Sequence, residues 1–290
     1  MKILLTGNKG FIGGHLQKKL EELGHDIVGM DIKVSRGEDI RTDLCVKSIF
    51  KKYKFDAVIH LAALAGVRKS LEIPQDYFET NITGTYYLLR EAERHGIKKF
   101  ISASSSSVYG THRSPLREGM KCNHQLSPYA VSKKAGEMLC RLFDRVPTIV
   151  VRPFTAYGPN GRDDMVIKRI IEAGINETEF EKYGDGTSVR GYTNVFDFVD
   201  GIVKLLGYKM KDNFEIFNLG GTEIVSLNEF IEIVKEVFPK LKVVQIKRNK
   251  ADAKYSYADI SKAKKVLSWE PKRNFKKELK KLCYSIKRKN

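Results

Sequence analysis

Tyr129 and Lys133 stand four residues apart, just after Ser127-Pro128 opens a predicted helix, so both side chains face the same side. A free phenol has a pKa of about 10 and is a poor base at neutral pH. A neighbouring ammonium favours the phenolate and brings it into range for general acid–base work. Ser105 lies 24 residues earlier, just past a predicted strand end, where an open parallel sheet presents its ligands. Alone, a tyrosine and a lysine on one helix face are an ordinary surface pair. The rest of the chain decides their meaning.

The run from Thr6 to Gly13, TGNKGFIG, places glycines at 7, 10 and 13 directly after a predicted strand and at the opening of a predicted helix. The first allows a tight turn, the second lets backbone approach a pyrophosphate, and the third lets the helix pack on the strand. The helix N-terminus, with Phe11 and Ile12 in its first turn, supplies free N–H groups for the diphosphate. Asp31 follows 18 residues after Gly13, at the end of the second predicted strand. A carboxylate there accepts the ribose hydroxyls of NAD and repels the 2′-phosphate of NADP. The cofactor expected is therefore NAD, whose positive nicotinamide ring adds to the charge favouring the Tyr129 phenolate.

These residues need a scaffold. Ile3–Leu5, Asp26–Met30, Ala57–His60, Phe100–Ala103 and Thr148–Arg152 read as strands, alternating with helical periodicity over Phe11–Leu23, Pro74–Arg94 and Pro128–Phe143. That alternation predicts an α/β fold, a Rossmann-type doubly wound parallel sheet covered on both faces. The stretch from Asp31 to Asp39 is too brief for a helix and a strand, so one crossover is expected to shrink to a loop. Beyond Arg152 the pattern breaks into loops at Gly158–Gly161 and Gly184–Gly186. Ser226 to Glu229 has capping-box spacing before a helix through Val237. Val243–Ile246 reads as a strand, and Asp259 as the cap of a helix through Leu267. The expected division is residues 1–155 as the NAD-binding domain, with segments near 190–220 returning to it, and residues 156–290 as a smaller C-terminal α/β substrate lobe.

Composition bounds the function class. With 42% hydrophobic residues in 290, the chain buries a sizeable core, and disorder is excluded. No apolar run of 18 residues is present, and the N-terminal apolar stretch is too short for a signal peptide. The four cysteines are spaced for neither a zinc site nor a disulfide framework. A cytoplasmic protein without metal or membrane is expected. The net charge of +17 is concentrated at the end, where Lys272 to Asn290 hold nine basic residues and one acid. Phe275, Leu279, Leu282, Cys283 and Ile286 give that segment a helical apolar stripe, which predicts a docked helix with a solvated basic face. The charge leaves nucleic acid open as a partner of a non-catalytic version of this fold, which the Ser105, Tyr129 and Lys133 trio opposes.

At this point the sequence resembles a known family, the extended short-chain dehydrogenase/reductases acting on nucleotide sugars. The likeness covers essentially the whole chain and rests on TGNKGFIG from Thr6, DIR from Asp39, HLAALAGV from His60, SASSSSVYG from Ser102, SPYAVSKKAGE from Ser127 and RPFTAYGP from Arg152. It implies that Asp39 and Ile40 hold the adenine and that Leu61, Ala62 and Ala63 line the dinucleotide. Lys133 would hold the nicotinamide ribose as well as tune Tyr129, and Ser105 would share the sugar 4-hydroxyl with Tyr129. Asn81 would support the site structurally. Arg190 would meet the diphosphate, in a segment where Gly191 replaces the family's usual Asp, and Asp252 would lie near the uridine. A homodimer through helices Pro74–Arg94 and Pro128–Phe143 is implied by the same likeness.

Chemistry narrows the reaction. Dehydrating members carry an Asp-Glu pair where this chain has Ser106 and Ser107, and decarboxylating members a Glu at the position of Ser107. A serine hydroxyl cannot replace a carboxyl group as acid or base. Oxidation at C4 followed by return of the hydride needs only Tyr129, Ser105 and NAD, which is 4-epimerisation. Thr155, in RPFTAYGP followed by NGRDDM, resembles the FTVYGP…GRPDM run of UDP-glucuronate 4-epimerases, where epimerases of neutral hexoses often carry Asn. Ser106, Ser107 and Thr155 could offer hydroxyls to a sugar carboxylate, with Arg162 a further candidate contact. Epimerisation of another UDP-hexose, or reduction of a 4-ketosugar, remains open at this stage.

Overall fold

The computed structural model describes residues 1–247 and 253–288. Six strands form one sheet, β1 (Lys2–Thr6), β2 (Asp26–Met30), β3 (Ala57–His60), β4 (Phe100–Ala103), β5 (Thr148–Pro153) and β6 (Phe214–Leu219). Their order is β6-β5-β4-β3-β1-β2 and every pairing is parallel. This is the doubly wound order 3-2-1-4-5-6 with its third strand missing and one further parallel strand, β6, added at the far edge. Between Asp31 and Thr42 the described chain makes only turns and a short 3₁₀ segment at Arg36–Glu38, and the helix Asp43–Lys52 then crosses back to β3. The brevity of the Asp31–Asp39 stretch predicted that loss.

The strands read as continuous apolar runs because both faces of the sheet are covered. Successive side chains point to opposite faces. Ile3, Leu5, Ala57, Ile59, Ile101, Ile149 and Val151 therefore pack against Leu16 and Leu20 of helix Phe11–Glu22 and Phe198 and Ile202 of helix Val195–Gly207. Leu4, Val58, Phe100 and Val150 face the other way, onto Val46, Phe50, Leu88, Leu89 and Cys140. Helix Val195–Gly207, β6 and helix Ser261–Leu267 all pack into this first core, although they come late in the chain.

A second core gathers Ile170, Phe180, Tyr192, Phe230, Val234, Phe275 and Leu279. The capping box at Ser226 and Glu229 forms as its spacing predicts and starts helix Leu227–Lys235. Helix Phe275–Lys287 buries Phe275, Leu279, Leu282 and Cys283 in this core. Its Lys276 and Lys280 pair with Glu236, and Lys281 with Glu278, so part of the terminal charge is neutralised locally. Among the described residues no helix is long and apolar enough to cross a membrane.

One predicted helix is interrupted. The segment Pro74–Arg94 runs as α-helix to Phe78, widens into a π-turn over Glu79–Thr83, and resumes at Gly84. The wider turn coincides with Asn81, whose side chain points inward to the site described next.

Candidate active site

The register sets Thr6 beside His60 and His60 beside Ser102, so the loops after β1, β3 and β4 leave the sheet side by side. Together with residues after β5 they surround a cavity of about 470 Å³. At one end lies the glycine turn. Gly7 has φ +74°, and a Cβ there would come 2.6 Å from the Ala62 nitrogen. A Cβ on Gly13 would come 2.0 Å from the Gly7 carbonyl oxygen. Helix Phe11–Glu22 begins at Gly10 without a side-chain cap and without an acid in its first turn, which leaves its N-terminal N–H groups for an anion.

Asp31 is buried at the end of β2, where its two oxygens accept the backbone N–H groups of Lys9 and Lys33, each at 2.9 Å. The carboxylate keeps further acceptor positions for ribose hydroxyls. Gly7, Gly10, Phe11, Ile12, Gly13, Leu61 and Ala63 line the cavity. The cradle of glycines, the uncapped helix and the acid fit a dinucleotide diphosphate and ribose, and NAD bound here would supply a hydride acceptor. Ala62 instead donates its N–H to the Thr6 hydroxyl at 3.2 Å. Neither Asp39 nor Ile40 is on the cavity wall. Asp39 is held by the Arg41 guanidinium at 2.7–3.0 Å, and Ile40 is buried in the core against Val46 and Leu88.

At the other end, Ser105, Tyr129 and Lys133 converge on the cavity. Ser105 caps the 3₁₀ turn Ser106–Tyr109, and its Oγ accepts the Ser107 N–H at 3.1 Å and the Ser107 hydroxyl at 2.9 Å. The Ser105 hydroxyl also acts on the Tyr129 phenol and favours its ionised form. Burial pushes the Tyr129 phenol up; the Ser105 bond and the Arg162 charge pull it down, Asp164 pushes it up again, and the net shift is upward. Lys133 donates to the Ala103 carbonyl at 2.7 Å, and burial lowers its ammonium to about 8. Arg162 thus adds a positive charge near the phenol, and Lys133 lines the same cavity.

Arg162 is exposed and pairs with Asp164 at 2.8 and 3.1 Å, at the lip of the cavity. Ser106, Ser107 and Thr155 line the cavity as well. Arg190 reaches it from the strand Val189–Gly191, with its guanidinium donating to the carbonyls of Val189 at 2.8 Å, Ala253 at 2.7 Å and Lys254 at 3.2 Å. Gly191 beside it leaves no room for a side chain, since a Cβ would come 2.7 Å from the Gly221 carbonyl. Asp252 lies outside the described residues.

The profile of the NAD dependent epimerase/dehydratase family matches residues 3–220. The chain belongs to this family. It is 39% identical to a UDP-glucuronate 4-epimerase of Thermodesulfobacterium geofontis, over 96% of this chain and 93% of that one. Among solved structures it is similar to UDP-glucuronic acid 4-epimerase from Bacillus cereus in complex with UDP-glucuronic acid and NAD, with a TM-score of 0.90, 32% identity and full coverage of both chains. It is also similar to UDP-glucose 4-epimerase from Thermotoga maritima with UDP-glucose, with a TM-score of 0.92, 29% identity, and coverage of 100% of this chain and 99% of that one.

Within this family fold, two supports hold the site: Asn81, which the resemblance named, and a buried ion pair that escaped the sequence reading. Asn81 accepts the Leu64 N–H and donates to the Leu64 carbonyl and the Ser132 hydroxyl, each at 2.9 Å, and Ser132 donates to the Tyr129 carbonyl at 2.9 Å. One side chain so fastens the loop after β3 to the helix carrying Tyr129. Behind Ser105, Glu137 and Arg152 form a two-pronged buried ion pair at 2.7 Å, and Ser104 donates to the same carboxylate at 2.6 Å. Glu137 lies four residues past Lys133 on the same helix face, a spacing that would have marked it.

Proposed function

We propose that the protein is a NAD-dependent UDP-sugar 4-epimerase, with UDP-glucuronate and UDP-galacturonate as its substrate and product. The observation that carries this reading is the convergence of Ser105, Tyr129 and Lys133 on one cavity, beside a run of serines with no carboxylate in it to act as a second acid or base. Tyr129 takes the proton of the sugar 4-hydroxyl while Ser105 aligns it. NAD held at the glycine turn would supply the acceptor for the C4 hydride, and its donor once the 4-keto sugar has turned over. Tyr129 then gives the proton back on the new face.

The similarity to UDP-glucuronate 4-epimerases supports a uronate substrate, as does Thr155 at the position where neutral-hexose enzymes often carry Asn. Ser106 and Thr155 offer hydroxyls to the carboxylate, while Ser107 gives its proton to Ser105. The UDP-glucose epimerase relative supports UDP-glucose as the second reading. Incubation with UDP-glucuronate and, separately, with UDP-glucose, followed by proton NMR of the anomeric signals, decides between them. UDP-galacturonate is the expected product, and conversion of UDP-glucose alone overturns the uronate reading.

The same proposal includes a homodimer in the cytoplasm. Phe78 and Tyr86 on one helical segment and Val131, Met138 and Leu142 on the helix Pro128–Leu142 are exposed apolar side chains, which supports pairing through these helices. All four cysteines are free and three are buried, which suits a reducing compartment. Light scattering after size-exclusion chromatography tests the dimer, and a monomeric mass refutes it.

A further inference from the structure

The cavity wall beside Tyr129 leaves the six-stranded sheet after β3 and is gripped from a strand outside that sheet. Gly66 and Val67 line the cavity at the start of the short helix Val67–Glu72. Gly66 has φ +114°, and a Cβ there would come 3.2 Å from Asp164 Oδ2 and 3.5 Å from the Tyr77 hydroxyl. Asp164 therefore rests almost directly on the Gly66 backbone. Tyr77 in turn sets its ring edge-on to Tyr129, with 6.0 Å between centroids. One residue past Val67, the Arg68 guanidinium sits over the ring of Tyr183, only 3.6 Å from its centroid. Tyr183 ends the strand Glu179–Tyr183, which pairs with Lys242–Ile246 and belongs to the smaller lobe. Arg169 approaches the same ring at 5.5 Å from helix Val166–Ile175, whose Val166 lines the cavity too.

We propose that Arg68 on Tyr183, with Asp164 seated on Gly66, is a latch that holds the two lobes closed over the sugar and retains the 4-keto intermediate between the two hydride transfers. The inference rests on the epimerase reading. To present its other face, the oxidised sugar ring has to leave the contacts that fixed it, and in that interval it is kept from solvent by the hold on its nucleotide and by the cavity walls. A guanidinium stacked on an aromatic ring suits such a closure, since charge meets ring face there without a fixed bond geometry. The cost of failure is specific. If the ketone escapes, C4 has lost a hydride to the cofactor and the 4-hydroxyl proton to Tyr129, and the enzyme is stranded in its reduced form. A freed 4-keto uronate, being a β-keto acid, then loses CO₂ and takes up a proton at C5.

The test compares Tyr183→Leu and Arg68→Gln with Tyr183→Phe, which keeps the ring. Turnover to epimer is measured alongside reduced nicotinamide absorbance and released ketone. The wild type and Tyr183→Phe are expected to epimerise without accumulating reduced enzyme. Tyr183→Leu and Arg68→Gln are expected to raise the fraction of cycles ending in released ketone by about tenfold, the scale of losing one desolvated cation–π contact. Amide hydrogen exchange over residues 66–72 is expected to speed up in Tyr183→Leu and not in Tyr183→Phe. Unchanged partitioning and unchanged exchange in a Tyr183→Leu protein with a normal melting curve overturn the latch. If the wild type epimerises no UDP-sugar, the functional reading fails, and unchanged exchange in Tyr183→Leu still refutes the closure on its own.

Discussion

Arg152→Met provides the most quantitative test of how the catalytic turn is held. Arg152 and Glu137 are each 1% exposed, and their two prongs meet at 2.7 Å. Burial pushes the Glu137 carboxyl up, and the Arg152 guanidinium with the Ser104 hydroxyl outweighs this and holds it below its ordinary range. Without Arg152, the carboxylate keeps Ser104 and the Lys134 ammonium at 3.2 Å, which is too little for a buried charge. Removing one partner of such a pair costs roughly 3–5 kcal/mol. In a chain this long each kcal/mol lowers Tm by roughly 2–4 °C, so a fall of about 6–20 °C is expected. The double variant Glu137→Leu with Arg152→Met leaves no buried charge and should recover most of that loss, because a buried pair is worth little over well-packed apolar residues. Its turnover should stay low, since Ser104, next to Ser105, has lost its acceptor. Urea and thermal unfolding measured beside epimerase activity separate the two effects. A single variant costing under about 1 kcal/mol, or a double variant no more stable than the single, refutes the argument.

Tyr129→Phe should abolish turnover while NAD remains bound, and substantial residual activity, read by NMR of the sugar, counts against the phenol as the proton carrier. Gly13→Val should prevent NAD binding or folding, because its first side-chain carbon would meet the Gly7 carbonyl oxygen at 2.0 Å; cofactor retention measured after gel filtration checks this. His60 is buried between Thr6 and Thr85, and burial first, then the Lys133 charge, hold it at about 3 against 6.5. Below pH 6.5 the unfolded chain takes a proton that the native state refuses, so stability should fall as pH drops from 6.5 towards 3. His60→Gln should flatten that slope by roughly 1.4 kcal/mol per pH unit, measured by urea unfolding across the range. Thr155→Asn should lower turnover of UDP-glucuronate more than that of UDP-glucose, and equal losses in parallel kinetic assays would discredit the specificity argument.

The parallel sheet was legible because each of its first five strands is a short apolar run after which a helix-period segment begins. β6 was not, since Phe214-Glu215-Ile216-Phe217-Asn218-Leu219 alternates and carries two polar residues that find partners only in the fold. Glu215 takes the Tyr208 hydroxyl, and the Asn218 side chain accepts the Tyr109 hydroxyl and donates to the Leu116 carbonyl. The serine, tyrosine and lysine of the site follow from spacing and are brought together around one cavity. What spacing could not reveal is which other groups surround the ammonium and the phenol. Four residues along a helix predicts that Lys133 and Tyr129 share a face, but not that a carbonyl at the end of β4 takes the ammonium. Arg162 comes from a loop 33 positions after Tyr129, and nothing local ties the two. The π-turn at Asn81 was illegible for the same reason, because it answers to Leu64 and Ser132, 17 and 51 positions away.

The arrangement of charge around the cavity bears on why this site would epimerise rather than eliminate. Two carboxylates approach the catalytic residues, and both are engaged by arginines: Glu137 by Arg152 beneath the serine turn, Asp164 by Arg162 at the lip. Held below its ordinary range, the Glu137 carboxyl carries no proton to give, and as half of a buried ion pair it is a poor base. The phenol is left as the group that can both take and return a proton at C4. Arg190, the cation nearest to what the diphosphate needs, is already braced on three backbone carbonyls, so it can meet the anion without being reordered. At the sugar end the serine run and Thr155 offer hydroxyls, and Arg162 on that wall is tied to Asp164. Hydroxyls hold a carboxylate weakly enough for the ring to let go and turn, and an ion pair of the Glu137–Arg152 kind at that position would arrest the rotation on which inversion depends. The +17 net charge can then draw anionic ligands from a distance, with a reach of about 8 Å in physiological salt, without fixing the sugar once it has arrived.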